Sequence, residues 1–204
     1  MSVEPRPLAR PLASVGLFCG ASAGTDPAWM EAAAAFGRIL AGEGMRLVYG
    51  GGGLGLMGAC AKAAIGAGGS VLGVIPEFLR QAEVAYDAAE LVVVPSMHER
   101  KAVMFREADG FVVMPGGIGT LEEAIELLSW ARLGLHAKPM VFLDSQGFWG
   151  PLFGLFEHTI EQGFTPAAFR SAYAAVDKVE DLLPALRAMA ERPGARSAMP
   201  LTVA

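Results

Sequence analysis

Gly110-Phe111-Val112-Val113-Met114-Pro115-Gly116-Gly117-Ile118-Gly119-Thr120-Leu121-Glu122-Glu123 is the stretch whose reading decides the fold. Its first five residues make a short apolar run of the kind a buried strand needs. From Glu122 to Leu135 the composition turns helical. The junction is therefore strand, glycine loop, helix. Three glycines let the backbone approach a ligand closely and turn its N–H groups inward. A helix starting there adds unpartnered N–H groups and positive potential, so a phosphate suits the loop. The same residues also fit a purely structural device. Thr120 and Glu123 have capping-box spacing, with Thr120 as N-cap, Glu123 as its reciprocal partner and the glycines merely shaping a turn. The two readings compete, because amides given to a phosphate are not free for a cap.

The same alternation repeats on both sides of this junction. Ser14 to Cys19, Met45 to Tyr49, Ser70 to Ile75, Leu91 to Val94, Pro139 to Leu143 and Ala172 to Val176 read as further strands. Helical segments run from Ala28 to Ala41, Met57 to Ala67, Met97 to Glu107, Gly150 to Gln162 and Glu180 to Glu191. Thr25 or Asp26 caps the first of these, with Pro27 in its first turn. Glu77 to Glu90 has no clear period and reads as a loop or short helix. Apolar strands alternating with helices predict an α/β fold, a doubly wound, Rossmann-like parallel sheet with helices on both faces. In such sheets ligands sit beyond the carboxyl ends of the strands, where the strand order reverses. Three small-residue loops fall at those ends, Gly20 to Gly24, Gly50 to Gly55 and Gly116 to Gly119, and together they predict a nucleotide-sized anion. One domain over 14–191 is expected, between flexible tails at 1–13 and 192–204.

Composition narrows the function further. The chain has 204 residues, enough for one full core, with 53% hydrophobic and only 18% charged residues. So few charges favour an oligomer that hides apolar surface. Net charge is −5 and no Lys/Arg run occurs, which argues against nucleic-acid binding. No apolar stretch approaches the ~20 residues of a membrane helix. The N-terminus, interrupted by Arg6, Pro7, Arg10 and Pro11, does not read as a signal peptide, so a soluble cytoplasmic protein is expected. Cys19 and Cys60 lack disulfide-framework and metal-ligand spacing and read as buried, inert thiols.

Other stretches compete for the role of site. Gly53-Leu54-Gly55-Leu56-Met57-Gly58 spells the dinucleotide fingerprint, but after the second strand rather than the first. The ribose-binding acid that should follow has only Glu77 as a candidate, directly after a proline. Met97-His98-Glu99-Arg100-Lys101 opens a helix after the fourth strand, so it overhangs the same crevice. Arg100 offers a planar, always charged fork for a phosphate or a base, or else a surface ion pair with Glu99 or Glu107. His98, His136 and His158 are isolated, and no metal is expected. Glu123 shares a helical stripe with the apolar Leu127 and Trp130, whereas Glu122, Glu126 and Ser129 form a polar one. Glu123 is thus the acid placed to face an enclosed space, where a carboxylate beside a phosphate site is costly unless it has a function.

Pro115-Gly116-Gly117-Ile118-Gly119-Thr120-Leu121-Glu122-Glu123 resembles the PGGxGTxxE motif of the LOG (Lonely Guy) family, cytokinin riboside 5′-monophosphate phosphoribohydrolases often labelled lysine decarboxylases. Met97-His98-Glu99-Arg100-Lys101-Ala102 resembles the family's second motif, at the usual distance before the glycines. Phe18 to Ser22, Tyr49 to Gly58, Trp130 to Gly134 and Lys138-Pro139 are similar too, so the resemblance spans Ser14 to Asp181. It implies cleavage of the N-glycosidic bond of a nucleoside 5′-monophosphate such as isopentenyladenosine monophosphate or AMP, with no cofactor, by a homodimer. It also implies catalytic roles for Arg100 and Glu123. Substrate contacts would come from Glu83, Lys101, Gly116, Gly117, Ile118, Gly119, Thr120, Leu121 and Glu122. A nucleotide or molybdopterin-type carrier that performs no chemistry is the alternative.

Overall fold

A computed structural model describes residues 12–192. The tails expected at either end lie outside the described residues, apart from 12, 13 and 192. Seven strands form one parallel sheet: β1 (Ser14–Phe18), β2 (Arg46–Tyr49), β3 (Val71–Pro76), β4 (Glu90–Val94), β5 (Gly110–Val113), β6 (Met140–Leu143) and β7 (Ala174–Val176). Their order is β4-β3-β2-β1-β5-β6-β7. The chain winds outward from β1 to β4, crosses back, and winds outward again from β5 to β7. The order therefore reverses between β1 and β5, which pair directly, Phe18 beside Val113. Any ligand crevice belongs at the carboxyl ends of those two strands.

Helices α1 (Pro27–Gly42), α2 (Gly55–Gly66) and α6 (Leu182–Ala190) cover one face; α3 (Met97–Glu107), α4 (Ile118–Arg132) and α5 (Gly150–Glu161) cover the other. Side-chain alternation along each strand feeds both layers. Val112 and Met114 pack toward α1, α2 and α6, while Phe111 and Val113 pack toward α3, α4 and α5. That is why β5 reads as an unbroken apolar run. Each large side chain so buried contributes about 1.5–3 kcal/mol of transfer free energy. Asp109, in the turn before β5, accepts hydrogen bonds at Oδ2 from the Ala13 N–H (2.9 Å), the Ser14 N–H (3.0 Å) and Ser14 Oγ (3.0 Å), fixing the start of β1 beside β5. Asp26 caps α1 through the Ala28 N–H at 2.8 Å, and Pro27 occupies the first turn, as the sequence implies. Among the described residues no helix is long and apolar enough to cross a membrane.

Several boundaries shift by a few residues from the sequence reading, and two helix starts move at glycines. Helix α4 begins at Ile118, inside the glycine motif, four residues before Glu122, and α2 begins at Gly55 rather than Met57. Glycine's helix penalty, about 1 kcal/mol, makes such starts invisible to propensity, yet packing overrides it. The unclear stretch between β3 and β4 holds a 3-10 turn (Glu77–Leu79) and then a strap whose Tyr86 N–H donates to Gly51 O at 3.1 Å.

Candidate active site

Gly117 is the N-cap of α4, and no side chain caps the helix. Thr120 therefore lies in the first turn and Glu123 near the end of the second, which removes the capping-box reading. Nor do the glycines serve a turn that needs left-handed backbone, since Gly116, Gly117 and Gly119 all avoid positive φ. Gly116 is required by packing: a Cβ there would lie 2.1 Å from Thr120 Oγ1 and 2.8 Å from the Gly20 nitrogen. Gly117 and Gly119 face open space, with no atom within 4 Å of an added Cβ. Two bare backbone positions at an uncapped helix N-terminus leave room and N–H donors for an anion.

These residues border a cavity of about 500 Å³ at the β1–β5 switch, the size class of a nucleotide. Its polar and small-residue lining includes Cys19, Gly20, Glu83, Arg100, Gly116, Gly117, Gly119, Thr120, Glu122 and Glu123. Its apolar lining comprises Trp29, Leu56, Met57, Leu79, Met97 and Phe148, with Met97 against Arg100. Trp29 and Phe148 meet edge to face, with ring centroids 5.4 Å apart. The cavity thus offers one ligand both an uncapped helix N-terminus with a guanidinium and an aromatic surface.

Arg100 is buried, with 4% of its surface exposed. Its Nη2 donates to Gly50 O at 3.0 Å and lies 3.6 Å from Glu83 Oε2, while Nη1 reaches Met97 Sδ at 3.8 Å. Nε is buried without a partner, as is Glu83 Oε2. A buried guanidinium with donors to spare is costly in an empty cavity and favourable in an occupied one. The surface ion pair with Glu99 or Glu107 does not form; Glu107 pairs with Arg46 instead, at 3.3 Å. Burial pushes the Glu123 carboxyl up to about 7, opposed by Arg100 and reinforced by Glu122 and Glu83. Burial raises Glu83 in the same way, again opposed by Arg100. Burial also holds the Cys19 thiol well above its ordinary range, followed by the effects of Cys60 and Glu123, so it is protonated and a poor nucleophile at neutral pH.

Residues 57–186 match the family model described as "Possible lysine decarboxylase". The chain is 42% identical over 189 residues to the cytokinin riboside 5′-monophosphate phosphoribohydrolase of Rhodococcoides fascians, covering 92% of this chain and 94% of that one. The Arabidopsis thaliana protein of the same name, LOG1, is 39% identical over 176 residues, covering 82% and 83%. The chain belongs to this LOG family. Among solved structures, the molybdenum cofactor carrier protein of Chlamydomonas reinhardtii superposes with a TM-score of 0.66 at 23% identity, over 88% of this chain and 98% of that one. That likeness is one of fold.

Of the residues the LOG motifs single out, Glu83, Arg100, Gly116, Gly117, Gly119, Thr120, Glu122 and Glu123 converge on the cavity. Three do not. Lys101 turns away and pairs with Glu122 and, at 2.9 Å, with Glu126 on α4. Burial pulls its ammonium pKa down, but these two carboxylates outweigh that and raise it. Ile118 points to solvent, 83% exposed, and Leu121 packs among the apolar side chains beneath α4. The second small-residue loop also misses: none of Gly50 to Gly55 lines the cavity. In the dinucleotide fingerprint, Gly53 N–H donates to Glu83 O (3.0 Å) and Val84 O (2.8 Å) and Leu56 N–H to Gly20 O (3.0 Å), so these amides are not turned to a pyrophosphate. Trp29 and Phe148 are the wall residues that sequence reasoning passes over. Trp29 sits in an alanine-rich helix that reads as core, and the one pointer to Phe148 is its place just beyond the carboxyl end of β6. Among the described residues no group of three or more His, Cys, Asp or Glu side chains is placed to hold a metal.

Proposed function

We propose that this chain hydrolyses the N-glycosidic bond of nucleoside 5′-monophosphates, releasing free adenine or an N6-modified adenine and ribose 5-phosphate. The observation that carries this is the half-buried Glu123 carboxyl, one turn beyond an uncapped helix N-terminus and facing Arg100 across one nucleotide-sized cavity. The phosphate takes the N–H groups from Gly117 to Thr120, and the base lies toward Trp29 and Phe148. As the C1′–N bond breaks, its electron pair leaves with the base and positive charge grows on the ribose. An ionised Glu123 stabilises that charge and orients the water that adds to C1′, the water's spare proton ending on the departing base. Arg100 anchors the nucleotide or polarises the base through its free donors. The high identity to proteins named for this reaction supports the reading.

The decarboxylase description of the family finds no support at this site. It would call for a lysine to hold pyridoxal phosphate, and no lysine lines the cavity. The carrier reading shares the fold and the phosphate loop, but gives no use to a carboxyl group held against a phosphate site at the cost of its own desolvation. We further propose that the chain works in the cytoplasm as a homodimer. Helix α4 supports the latter, presenting Ile118, Ile125 and Leu133 exposed along one side. For the activity, the test is Glu123→Gln. The variant is expected to bind AMP with near-parental affinity and to lose kcat by about 10²-fold or more. Parental turnover would remove Glu123 from the chemistry.

A further inference from the structure

The four-glycine run Gly50 to Gly53 lies at a strand carboxyl end like a phosphate loop, yet no residue of it borders the cavity. Gly50 touches the Arg100 side chain, and the following glycines touch the backbone of the segment that carries Glu83, while Lys62 Nζ donates to Gly53 O at 2.9 Å. Gly50 O accepts Arg100 Nη2 at 3.0 Å, and a Cβ on Gly50 would lie 1.8 Å from that nitrogen and 2.9 Å from Cζ. The next nearest atom is Met57 Sδ at 3.1 Å, the flexible part of a side chain. Gly50 has no positive φ, so the guanidinium alone, and not the backbone, demands a glycine there.

The rest of the run fastens the strap that carries Glu83. Gly52 bridges Ala85 in antiparallel fashion, Gly51 O accepts the Tyr86 N–H, and the Gly53 N–H is shared by the carbonyls of Glu83 and Val84. A Cβ on Gly53 would stand 2.5 Å from Val84 O. Val84 itself is held at φ 49, in the left-handed region, which a free strap would not keep. Arg100 and Glu83 are thereby brought within 3.6 Å of each other by one short piece of backbone.

We propose that Gly50 to Gly53 is a positioning element for the Arg100–Glu83 pair, with Gly50 the residue that sets the guanidinium. The proposal rests on Arg100 serving the reaction described above. One Nη2 hydrogen is spent on Gly50, which fixes the plane of the fork against the cavity that Arg100 lines. A charge held this way needs little reorganisation when charge moves in the transition state. At Gly50 the missing Cβ makes room for a charged group, whereas Gly51 takes a left-handed φ of 81 and Gly53 lets Val84 O come close.

A double-mutant cycle tests this with the full chain: parent, Gly50→Ala, Arg100→Ala and the two combined, each followed by thermal unfolding and by free-base release from AMP. Gly50→Ala is expected to lower the unfolding temperature in the parent and not in the Arg100→Ala background. It is also expected to cut kcat about tenfold or more, while the double variant is no slower than Arg100→Ala alone. Equal thermal loss in both backgrounds, or parental kcat in Gly50→Ala, overturns the proposal. Should Gly50→Ala fail to fold, a folded double variant supports it and an unfolded one overturns it. Parental activity in Arg100→Ala would instead remove Arg100 from the chemistry, while the thermal cycle would still report whether Gly50 seats its side chain.

Discussion

Glu123 lies in the second turn of α4, with Leu127 buried one turn further on and the cavity in front of it. Burial, against the pull of Arg100, moves its carboxyl from an ordinary 4.5 to about 7. The role proposed for Glu123 needs the ionised form, so kcat/KM is expected to rise with pH through a midpoint near 7. A profile flat from about pH 5 to 8 would mean that this group does not act as a carboxylate. Stability should run the other way. Because the folded value is the higher one, the unfolded chain ionises first as pH rises from 4.5 toward 7, and stability falls across that window. The loss is on the order of 1–3 kcal/mol, toward the lower end because the side chain is only partly enclosed. In Glu123→Gln that part of the slope should vanish, and denaturant titrations at pH 5 and pH 8 would measure it. This residue was legible beforehand, since its helical stripe with Leu127 and Trp130 already sets it apart from Glu122. Arg100 was legible only as a charge in the right place; its burial and its bond to Gly50 come from the packing of α3 under β2.

At the scale of the element, the start of α4 carries the account. The strands on either side of it were readable because buried parallel strands are continuous apolar runs. The helix start was not, because Gly117, Ile118 and Gly119 look like a loop to any propensity argument. A strand carboxyl end likewise suggests the Gly50 to Gly55 loop as part of the binding site, whereas its Gly50 O accepts from Arg100 and its Gly53 N–H donates to Glu83 O. The open space beside Gly117 and Gly119 gives a clean separation of folding from binding. Gly119→Ala, inside the helix, should hold or raise stability by up to about 1 kcal/mol. Both Gly117→Ala and Gly119→Ala should raise KM for a nucleoside monophosphate by about 10–100-fold, the worth of charge-assisted hydrogen bonds lost to a methyl group. Steady-state kinetics beside thermal melts decides it: unchanged KM in both would return the glycines to a structural role.

For the whole molecule, the strand order places the crevice before any side chain is considered. The reversal between β1 and β5 brings the Gly20 loop and the Gly116 loop together, and Gly20 N–H donates to Pro115 O at 3.0 Å. Trp29 from α1 and Phe148 beyond β6 then close the apolar end, a juxtaposition over more than a hundred residues that no local pattern reveals. The proposed homodimer would cover the exposed Ile118, Ile125 and Leu133 of a chain with few charges. Light scattering should return twice the chain mass, and a monomer at micromolar concentration would contradict the dimer. The central claim, that one cavity reads a 5′-phosphate and cleaves the bond at the other end of the sugar, is tested most directly by chromatography of released base. Isopentenyladenosine monophosphate, AMP and their dephosphorylated nucleosides would be incubated side by side with the purified protein. Free base is expected from the monophosphates and essentially none from the nucleosides. Equal release from both would mean that the α4 N-terminus does not hold a phosphate, and release from neither, with AMP still bound, would leave a carrier rather than an enzyme.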